Sequence, residues 1–585
     1  MWKKLQEWKE KLLSQEGREV LIRSIIPAIP TYTMSCFKLP KGLIKEIEVL
    51  IRKFWWGYSG DAKKVHWVSW ERLCEAKEVG GMWFKDIEQF NNALLVKQVW
   101  RMMNNPDSLC FRVFKARFFP NCSILDVEEK APRSYAWKSI LSARDVIRKC
   151  MVWRIGDGQS VRGKWIPTRP GSVPASPLST ALPDPMVGGL INHDLGIWKS
   201  NLVHQHFLPH EARLILGIPL SPRFPSDRVV WSLTPSSKFS TSSAYKLLVA
   251  TASVSQAGSS SSEQLHLFWR RIWRLRVPNK IIHFIWRACT NALPTKCNLR
   301  RRKIFSSDTC ELCHGAAKDA LHALWLCKGL EDVWKAYHWT QPATSPLPLN
   351  FCELMDRFLQ VQDDYRKEIF AISTWLIWNR RNASHFGCLS QPLESVSIRV
   401  GALLQEFIAV QEVDLSLPES AVMHQWRPPE QGIYKVNFDA AVFKSSNTAG
   451  IGVIIRDWGG QAIGALSMSM PLANSVSDME ALTCRRAVQF AVDLGLHRVF
   501  FEGDSVIVIN AVSQENAALS LYGFIVEDIL SLVSSFLSFE FVHVPRSGNI
   551  VANALAKKAK ELVGCQVWSA EMPADIAPLV GFDVH

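Results

Sequence analysis

The chain has 585 residues, with 68 Lys or Arg against 54 Asp or Glu, so its formal net charge is +14 and its pI is about 9.1. It contains no run of about 18 apolar residues, which excludes a membrane-spanning helix. Fourteen cysteines without a secretory signal favour reduced thiols and bound metal over disulfides, so we expect an intracellular protein, nuclear or cytoplasmic. The length predicts roughly three to five domains, and the basic charge favours an anionic partner such as nucleic acid.

The first region, residues 1–165, is rich in tryptophan and mostly helical in pattern. Helices are predicted at 16–26 and 41–55, where apolar residues recur at helical spacing and prolines punctuate the chain. Tryptophans in such helices belong to a core by default. The next segment, 166–239, is rich in proline until about residue 186, and we predict an irregular spacer without chemistry of its own.

The most basic part of the chain follows a serine-rich linker at 251–262. Between residues 269 and 307 there is no Asp or Glu, and the positive side chains there are candidate nucleic-acid contacts: Arg270, Arg271, Arg274, Arg276, Lys280, Arg300, Arg301 and Arg302. Interleaved aromatic residues suit phosphate contact combined with base stacking; they are Phe268, Trp269, Trp273, Phe284 and Trp286. Alternatively, the aromatic side chains face a core while the arginines are merely solvated, and both can hold at once. The run 300–303 also matches a nuclear-import signal.

Four potential metal ligands follow this basic run. Cys310 and Cys313 form a Cys-x-x-Cys turn, and His322 and Cys327 supply a second pair. A zinc site closed by four protein ligands is structural and not catalytic. The alternatives are free thiols at 310 and 313, or His314 as a ligand, although His314 is too near Cys313 in sequence for easy chelation. We therefore predict a structural zinc-binding domain over residues 240–340, followed by a helical spacer at 341–425.

The last quarter of the chain places acidic residues in three different secondary-structure settings. The predicted elements are strands at 433–439, 449–456, 461–469, 498–504 and 538–545, and helices at 476–494 and from Asn549 to about Leu562. Asp439 ends the first strand, Glu480 lies in the first turn of a helix, and Asp504 ends an apolar strand. Any one of these acids would be a solvated carboxylate by default. Acids that converge from different elements can hold the divalent cations used in phosphodiester hydrolysis.

This order of strands and helices, with acids at those places, resembles the RNase H family. It is most similar to the plant variety at the end of LINE-type (non-LTR) retrotransposon polyproteins. Besides the acids, the matching segments are Trp426–Gly432, Ala449–Val453 and Pro545–Asn549. The resemblance implies an α/β RNase H-like domain at 432–563, with a five-stranded mixed sheet and flanking helices, and a tail at 564–585. It also implies that Asp439, Glu480 and Asp504 bind Mg²⁺ or Mn²⁺.

The resemblance extends upstream and makes the protein multidomain, mainly α before the α/β domain. Residues 240–340 are similar to the zinc-binding module between reverse transcriptase and RNase H in these elements. The segments Phe54–Gly57, His66–Trp70 and Trp153–Gly158 resemble the region after the reverse-transcriptase palm, so 1–165 is identified as a remnant of that region. The polymerase core itself is missing, because the pair Asp363-Asp364 lies in a polar stretch without strand alternation.

Asn553 stands where the family carries its fourth catalytic acid, and three interpretations follow. In the first, the protein is a metal-dependent endonuclease that hydrolyses the RNA strand of RNA:DNA hybrids. Asp439 would bridge two metals, Glu480 and Asp504 would complete one site, and Asn553 would complete the other poorly. In the second, it is a catalytically inactive nucleic-acid-binding remnant, and in the third, a remnant without a defined partner. Whether the chain is an enzyme stays open at this point.

Charge is distributed unevenly between the predicted domains. Residues 432–563 contain ten Lys or Arg and twelve Asp or Glu, a net charge of −2. Because the whole chain carries +14, the rest of it carries +16. A protein that binds an anionic duplex needs a positive surface. We therefore expect the region around 269–303 to supply most of the contact with nucleic acid.

Overall fold

The computed structural model describes thirteen stretches of the chain: 13–57, 65–127, 134–161, 186–234, 237–253, 262–337, 347–361, 365–388, 392–412, 426–513, 522–562, 564–569 and 572–584. Most of the predicted linker at 251–262 and the pair Asp363-Asp364 lie outside these residues. Within the described part, no helix is both long enough and apolar enough to cross a membrane.

The first half of the described chain is mainly helical. Its elements are α1 Gln15–Ser24, α2 Thr31–Cys36, α3 Lys41–Trp56, α4 Trp70–Cys74, α5 Ile87–Asn104, α6 Leu109–Phe118, α7 Tyr135–Leu141, α8 Arg144–Cys150, β1 Met151–Arg154, β2 Ile191–Asn192, β3 Ile197–Trp198, α9 Ser200–His206, α10 Pro209–Leu216, β4 Arg228–Trp231 and α11 Thr241–Ser253. The long helix α3 is amphipathic and buries its apolar face, including Ile44, Ile51 and Trp55.

The second half passes from helices to a mixed α/β region. Its elements are α12 Ser262–Trp273, α13 Asn279–Cys289, α14 Lys296–Arg301, a π-helical turn His322–Leu326, α15 Glu331–Lys335, α16 Phe351–Gln360, α17 Arg366–His385, α18 Ser395–Glu412, β5 Tyr434–Phe443, β6 Thr448–Arg456, β7 Ala462–Pro471, α19 Val476–Asp493, β8 Arg498–Gly503, α20 Val506–Ser513, α21 Gly523–Val533, β9 Ser538–His543, α22 Ile550–Lys558, β10 Cys565–Trp568 and α23 Ala577–Val584.

The chain divides into two compact units. The first unit comprises Met1–Gln98, Ser134–Ile140 and Tyr245–Pro418, and the second comprises Val99–Arg133, Leu141–Ala244 and Glu419–His585. Within the first unit, one apolar core joins the early helices, the cysteine-containing region and α16–α18, with Trp55, Trp286 and Phe370 fully buried. Residues 350–412, predicted as a helical spacer, therefore share a core with the predicted zinc-binding domain.

The second unit contains a six-stranded mixed sheet in the order β10-β7-β6-β5-β8-β9. Strands β5, β6 and β7 are antiparallel, while β5, β8 and β9 run parallel to one another. This is the RNase H-like topology, with one strand more than the five predicted. The additional strand, β10, pairs with β7, and α23 follows it on the sheet side that also carries α22. The sequence analysis missed this strand because four residues are too few for a periodic signal.

Residues 186–234, predicted to belong to an irregular spacer, form short helices and strands around a small core of their own. Val187, Val203 and Ile215 are among its buried residues. This region packs on the RNase H-like helices of the same unit: the Asp528 carboxylate on α21 accepts hydrogen bonds from Ser221 Oγ and Arg223 Nε, both at 2.8 Å. Its apolar residues are separated by prolines and turns, so no regular period marks the fold in the sequence.

Candidate active site and zinc centre

Asp439, Glu480 and Asp504 converge in the second unit. One carboxylate oxygen from each lies within 4.8 Å of the others. Strand pairing explains part of this arrangement, because Phe438 of β5 lies in register with Gly503 of the parallel strand β8. Asp439, inside β5, and Asp504, directly after the end of β8, therefore lie side by side, and α19 packs on β5 with Glu480 in its N-terminal half. The predicted end of the first strand at Asp439 is wrong, because β5 continues to Phe443 in its pairing with β6.

The fourth position, Asn553, reaches the acids because α22 lies unusually close to the sheet. A Cβ on Gly450 or Gly452 of β6 would lie 2.0 Å and 2.2 Å from the carbonyl oxygens of Ala556 and Ala552. Only glycine leaves room for the helix at these two positions. Asn553 Nδ2 then donates a hydrogen bond of 2.6 Å to Asp439 Oδ2.

A second asparagine fixes the start of α22. The Asn549 side chain is buried, and its Nδ2 donates to the Phe438 carbonyl oxygen at 2.9 Å, which joins this helix to the strand that carries Asp439. The sequence analysis noted Asn549 in a matching segment without assigning it a role. In the sequence, its position one helical turn before Asn553 was the feature that could have indicated this role.

The three carboxylates repel one another strongly. Burial, and then the charges of Asp439 and Asp504, raise the pKa of Glu480 to about 8. Burial and the nearby Asp504 charge also raise the pKa of Asp439, against the hydrogen bond from Asn553. Glu480 is 9% exposed, and its buried Oε2 has no hydrogen-bond partner among the described residues. Oxygen ligands clustered in this way fit a hard divalent cation, which would bind the unpartnered Glu480 oxygen and balance the negative charge of the carboxylates.

Arg546 is a site residue that the sequence analysis did not single out. Its Nε donates to Asp504 Oδ2 at 3.0 Å, and the side chain is 88% exposed. The hydrogen bond to Asp504, together with the charges of Asp504 and Asp439, raises the pKa of Arg546. The short turn between β9 and α22 places this cation at the open side of the acidic cluster. Its location in the matching segment Pro545–Asn549 was the only sequence signal.

The predicted zinc ligands also come together, in the first unit. Ligand atoms of Cys310, Cys313, His322 and Cys327 all lie within 4.8 Å of one another. Cys313 Sγ is 3.3 Å from His322 Nε2, and Cys310 Sγ is 3.9 Å from Cys327 Sγ. The competing histidine, His314, is exposed and does not belong to this cluster. Three sulfurs and one imidazole at this spacing fit the donor set of a structural zinc ion.

Arg381 contacts this cluster from α17, about fifty residues downstream of the cysteines. Its buried guanidinium donates from Nη1 to Cys310 Sγ at 3.5 Å. Burial works to raise the pKa of Cys310, but hydrogen bonds from the backbone of Cys313 and Leu312, and from Arg381, lower it to about 6. A zinc ion with three thiolates carries a net charge of −1, so the guanidinium matches the charge of the occupied site.

The candidate nucleic-acid contacts divide by side-chain type. Arg270, Arg271, Arg274, Arg276, Lys280, Arg300, Arg301 and Arg302 are all exposed. The interleaved aromatic residues are not: Trp269, Trp286 and their phenylalanine neighbours are buried, and Trp273 is half-buried with its Nε1 bonded to the Lys77 carbonyl oxygen at 2.9 Å. A stacking role for these aromatic side chains is wrong, because they pack in the core of the first unit.

Family profiles match both regions of the chain that contain these clusters. A family profile described as reverse-transcriptase-like matches residues 437–559, and one described as zinc-binding in reverse transcriptase matches 239–334. An Arabidopsis thaliana protein, provisionally named a ribonuclease H protein, is 26% identical over an alignment of 576 residues, and the match covers 95% of this chain and 90% of that protein. An uncharacterized mitochondrial protein of Arabidopsis thaliana is 39% identical over 132 residues, 22% of this chain and 86% of that protein.

Solved structures match a smaller part of this chain. RNase H1 from Halobacterium salinarum NRC-1 is 20% identical, with a TM-score of 0.20, and the match covers 22% of this chain and 98% of the archaeal one. The acidic cluster lies within the first profile, and the cysteine cluster lies within the second.

Proposed function

Because this chain belongs to the family of plant LINE-type retrotransposon proteins that join a reverse-transcriptase zinc-binding domain to an RNase H-like domain, we propose that it is a divalent-cation-dependent ribonuclease. Its substrate would be the RNA strand of an RNA:DNA hybrid. The observation that carries this proposal is the convergence of three carboxylates on the RNase H-like sheet, one of them with a buried oxygen that has no hydrogen-bond partner among the described residues.

Each site residue has a distinct part in this proposal. Asp439, Glu480 and Asp504 would hold Mg²⁺ or Mn²⁺ through carboxylate oxygens. A bound cation there would supply Lewis-acid polarisation of the phosphate and a more acidic water. Asn553 orients Asp439 through its amide and offers a neutral oxygen when that amide is turned, since the two ends of an asparagine amide are nearly isosteric. Arg546 lies beside the acids, where it can neutralise an anionic substrate.

Binding of nucleic acid rests on the first unit in this proposal. The exposed cations at 270–280 and 300–302 would contact phosphates without reading sequence, and the zinc ion at Cys310, Cys313, His322 and Cys327 would stabilise the domain that carries them. We also propose an intracellular location, nuclear or cytoplasmic, where such hybrids occur and cysteines stay reduced.

One observation favours a second function, that of a catalytically inactive nucleic-acid-binding protein. Asn553 donates a 2.6 Å hydrogen bond to Asp439, where a carboxylate would add a negative charge for a second cation. An amide in that role holds Asp439 in place but contributes no charge, so binding of two cations is weakened. In this second proposal, the acidic cluster survives only as part of the fold.

Cleavage of a labelled RNA:DNA hybrid by the whole 585-residue chain, in Mg²⁺ or Mn²⁺ against EDTA, separates the two functions. If the chain hydrolyses the hybrid, Asp439→Asn should lower the cleavage rate by about 100-fold or more, because the central ligand loses its charge. Asn553→Asp should then raise the rate. A chain that binds the hybrid but cleaves it in neither metal, even as Asn553→Asp, would establish the inactive binding protein.

A further inference from the structure

Trp83 adopts a backbone conformation that a large side chain rarely takes. Its φ is +57°, in the left-handed region, and its side chain is 43% exposed. The neighbours on either side, Met82 and Phe84, are fully buried. A bulky residue in this region is an outlier, and such strain persists mainly where the surrounding structure enforces it at a functional position.

Backbone hydrogen bonds hold this segment against relaxation. The Trp83 N–H donates to the Glu75 carbonyl oxygen at 2.9 Å, and the N–H groups of Met82 and Phe84 both donate to the Leu73 carbonyl oxygen, at 3.1 and 3.2 Å. With both neighbours anchored in the core, the Trp83 side chain is turned towards solvent and is 43% exposed.

A cation lies against this indole. The Arg23 guanidinium is 5.9 Å from the centroid of the Trp83 ring. Arg23 also pairs with Glu19, a carboxylate that Lys77 and His283 contact as well. The Trp83 ring therefore has a positively charged neighbour whose counter-ion is shared with other side chains.

The basic helix α12 packs against the start of the same loop. The Trp269 ring lies where a side chain on Gly80 would be, within 2.8 Å of its Cβ position, and Trp273 Nε1 bonds to the Lys77 carbonyl oxygen. These tryptophans are committed to packing, while Arg270, Arg271 and Arg274 of that helix remain exposed. The loop therefore offers the exposed aromatic ring that the basic segment lacks.

We propose that Trp83 is a stacking platform for an unpaired base of single-stranded nucleic acid, with Arg23 contacting a flanking phosphate. Base stacking on an exposed aromatic ring combined with backbone contact by cations is the usual means of binding single strands without sequence preference. This inference rests on the proposed function, of which it specifies one contact. An unpaired strand next to a hybrid provides such bases, whereas a blunt duplex does not.

Trp83→Gly in the whole chain tests the platform, because it should lower the affinity for single strands without lowering the melting temperature. Affinity for a labelled single-stranded oligonucleotide should fall about tenfold, while affinity for a blunt-ended RNA:DNA hybrid stays unchanged. The melting temperature should be unchanged or higher, because glycine adopts a positive φ without strain. Trp458→Ala is the matched control, since Trp458 is similarly exposed (41%) but lies in a turn of the RNase H-like domain, and it should leave single-strand affinity unchanged.

Equal single-strand affinity in Trp83→Gly and the unsubstituted chain would overturn the inference while leaving the proposed function in place. A lower melting temperature would also overturn it, since Trp83 would then serve packing. If the unsubstituted chain binds neither the single strand nor the hybrid, the proposed function fails as well.

Discussion

The two candidate metal sites handle charge in opposite ways. In the first unit, backbone N–H groups and the Arg381 guanidinium stabilise the Cys310 sulfur as a thiolate. In the second unit, Glu480 is buried beside Asp439 and Asp504, and Arg546, a cation in contact with the cluster, is almost fully exposed. The cysteine site is therefore organised for a permanently bound ion, whereas the acidic site is destabilised without one. That difference is typical of structural and catalytic metal sites respectively.

The second unit also contains a buried carboxylate whose charge is balanced by its neighbours. It can therefore be compared with Glu480 inside the same unit. Asp528 accepts hydrogen bonds from Ser221, Arg223 and Arg485, while Glu480 Oε2 has no hydrogen-bond partner among the described residues. A buried acid that serves the fold has its charge matched by neighbours, because an unmatched charge is costly in a low dielectric. Glu480 lacks this match, which is why we assign it to function.

Replacement of Cys310 and Cys313 together by Ser should have the largest effect. Apparent binding free energies of structural zinc are about 10–16 kcal/mol, and this double change removes half of the ligands. We expect bound zinc to fall from one equivalent to none and the first unit to unfold at a much lower temperature. Metal analysis and calorimetry would measure both. Exposed Cys388→Ser is the control, and a metal-free chain with unaltered unfolding would contradict a structural zinc site.

Asp528→Ala should destabilise the second unit by about 3 kcal/mol, because it leaves Arg485 and Arg223 facing a partly buried site without their carboxylate. Denaturant unfolding would measure the change. The adjacent Glu527→Gln is the matched control, with a smaller expected loss, because Glu527 is more exposed; its 2.9 Å pair is with the exposed Arg228, and the buried Arg154 is farther away, at 3.8 Å. Equal losses in the two variants would show that the docked segment 186–234 does not depend on Asp528.

Glu480→Gln should stabilise the metal-free protein, in contrast to the preceding substitutions. The folded-state pKa of Glu480 is about 8, above the ordinary value of 4.5, so the stability associated with its protonated form is lost as pH rises through about 8. Glutamine removes the buried charge, so in EDTA we expect a gain of a few kcal/mol at pH 9 and a gain below about 1 kcal/mol at pH 5. Unfolding at the two pH values is the measurement. A loss at pH 9 would contradict the charge repulsion among Asp439, Glu480 and Asp504.

Arg381→Gln should lower zinc affinity by about tenfold, the smallest of these effects, because the ligands remain but the neighbouring cation is removed. Competition with a chromogenic chelator would measure the affinity. Arg381→Lys should restore part of it by returning the charge, and Arg399→Gln, an exposed arginine on α18, should have no effect. If Arg381→Gln binds zinc as tightly as the unsubstituted chain, the guanidinium serves only packing.

Local patterns accounted for the parts of the fold with short-range signals. The strands and helices around Asp439, Glu480 and Asp504 lie where alternation and helical spacing predicted them, and the cysteine spacing predicted four ligands that the structure brings together. Strand β10 and the fold of 186–234 escaped prediction, because short apolar segments separated by proline or turns carry no clear period. The interleaved tryptophans were ambiguous, since core and surface aromatic residues share the same helical spacing.

The sequence by itself determined the chemistry of this protein: carboxylates for a hard cation, cysteines and histidine for zinc, and an excess of positive charge outside the RNase H-like domain. Only the tertiary structure decided how those groups are used. It placed Asn553 on Asp439 through the close approach of α22 to Gly450 and Gly452, brought Arg381 to the cysteines, and turned Trp83 outward. The reason is physical, because residue type sets what a side chain can bind, whereas long-range packing sets its neighbours, its burial and hence its charge state.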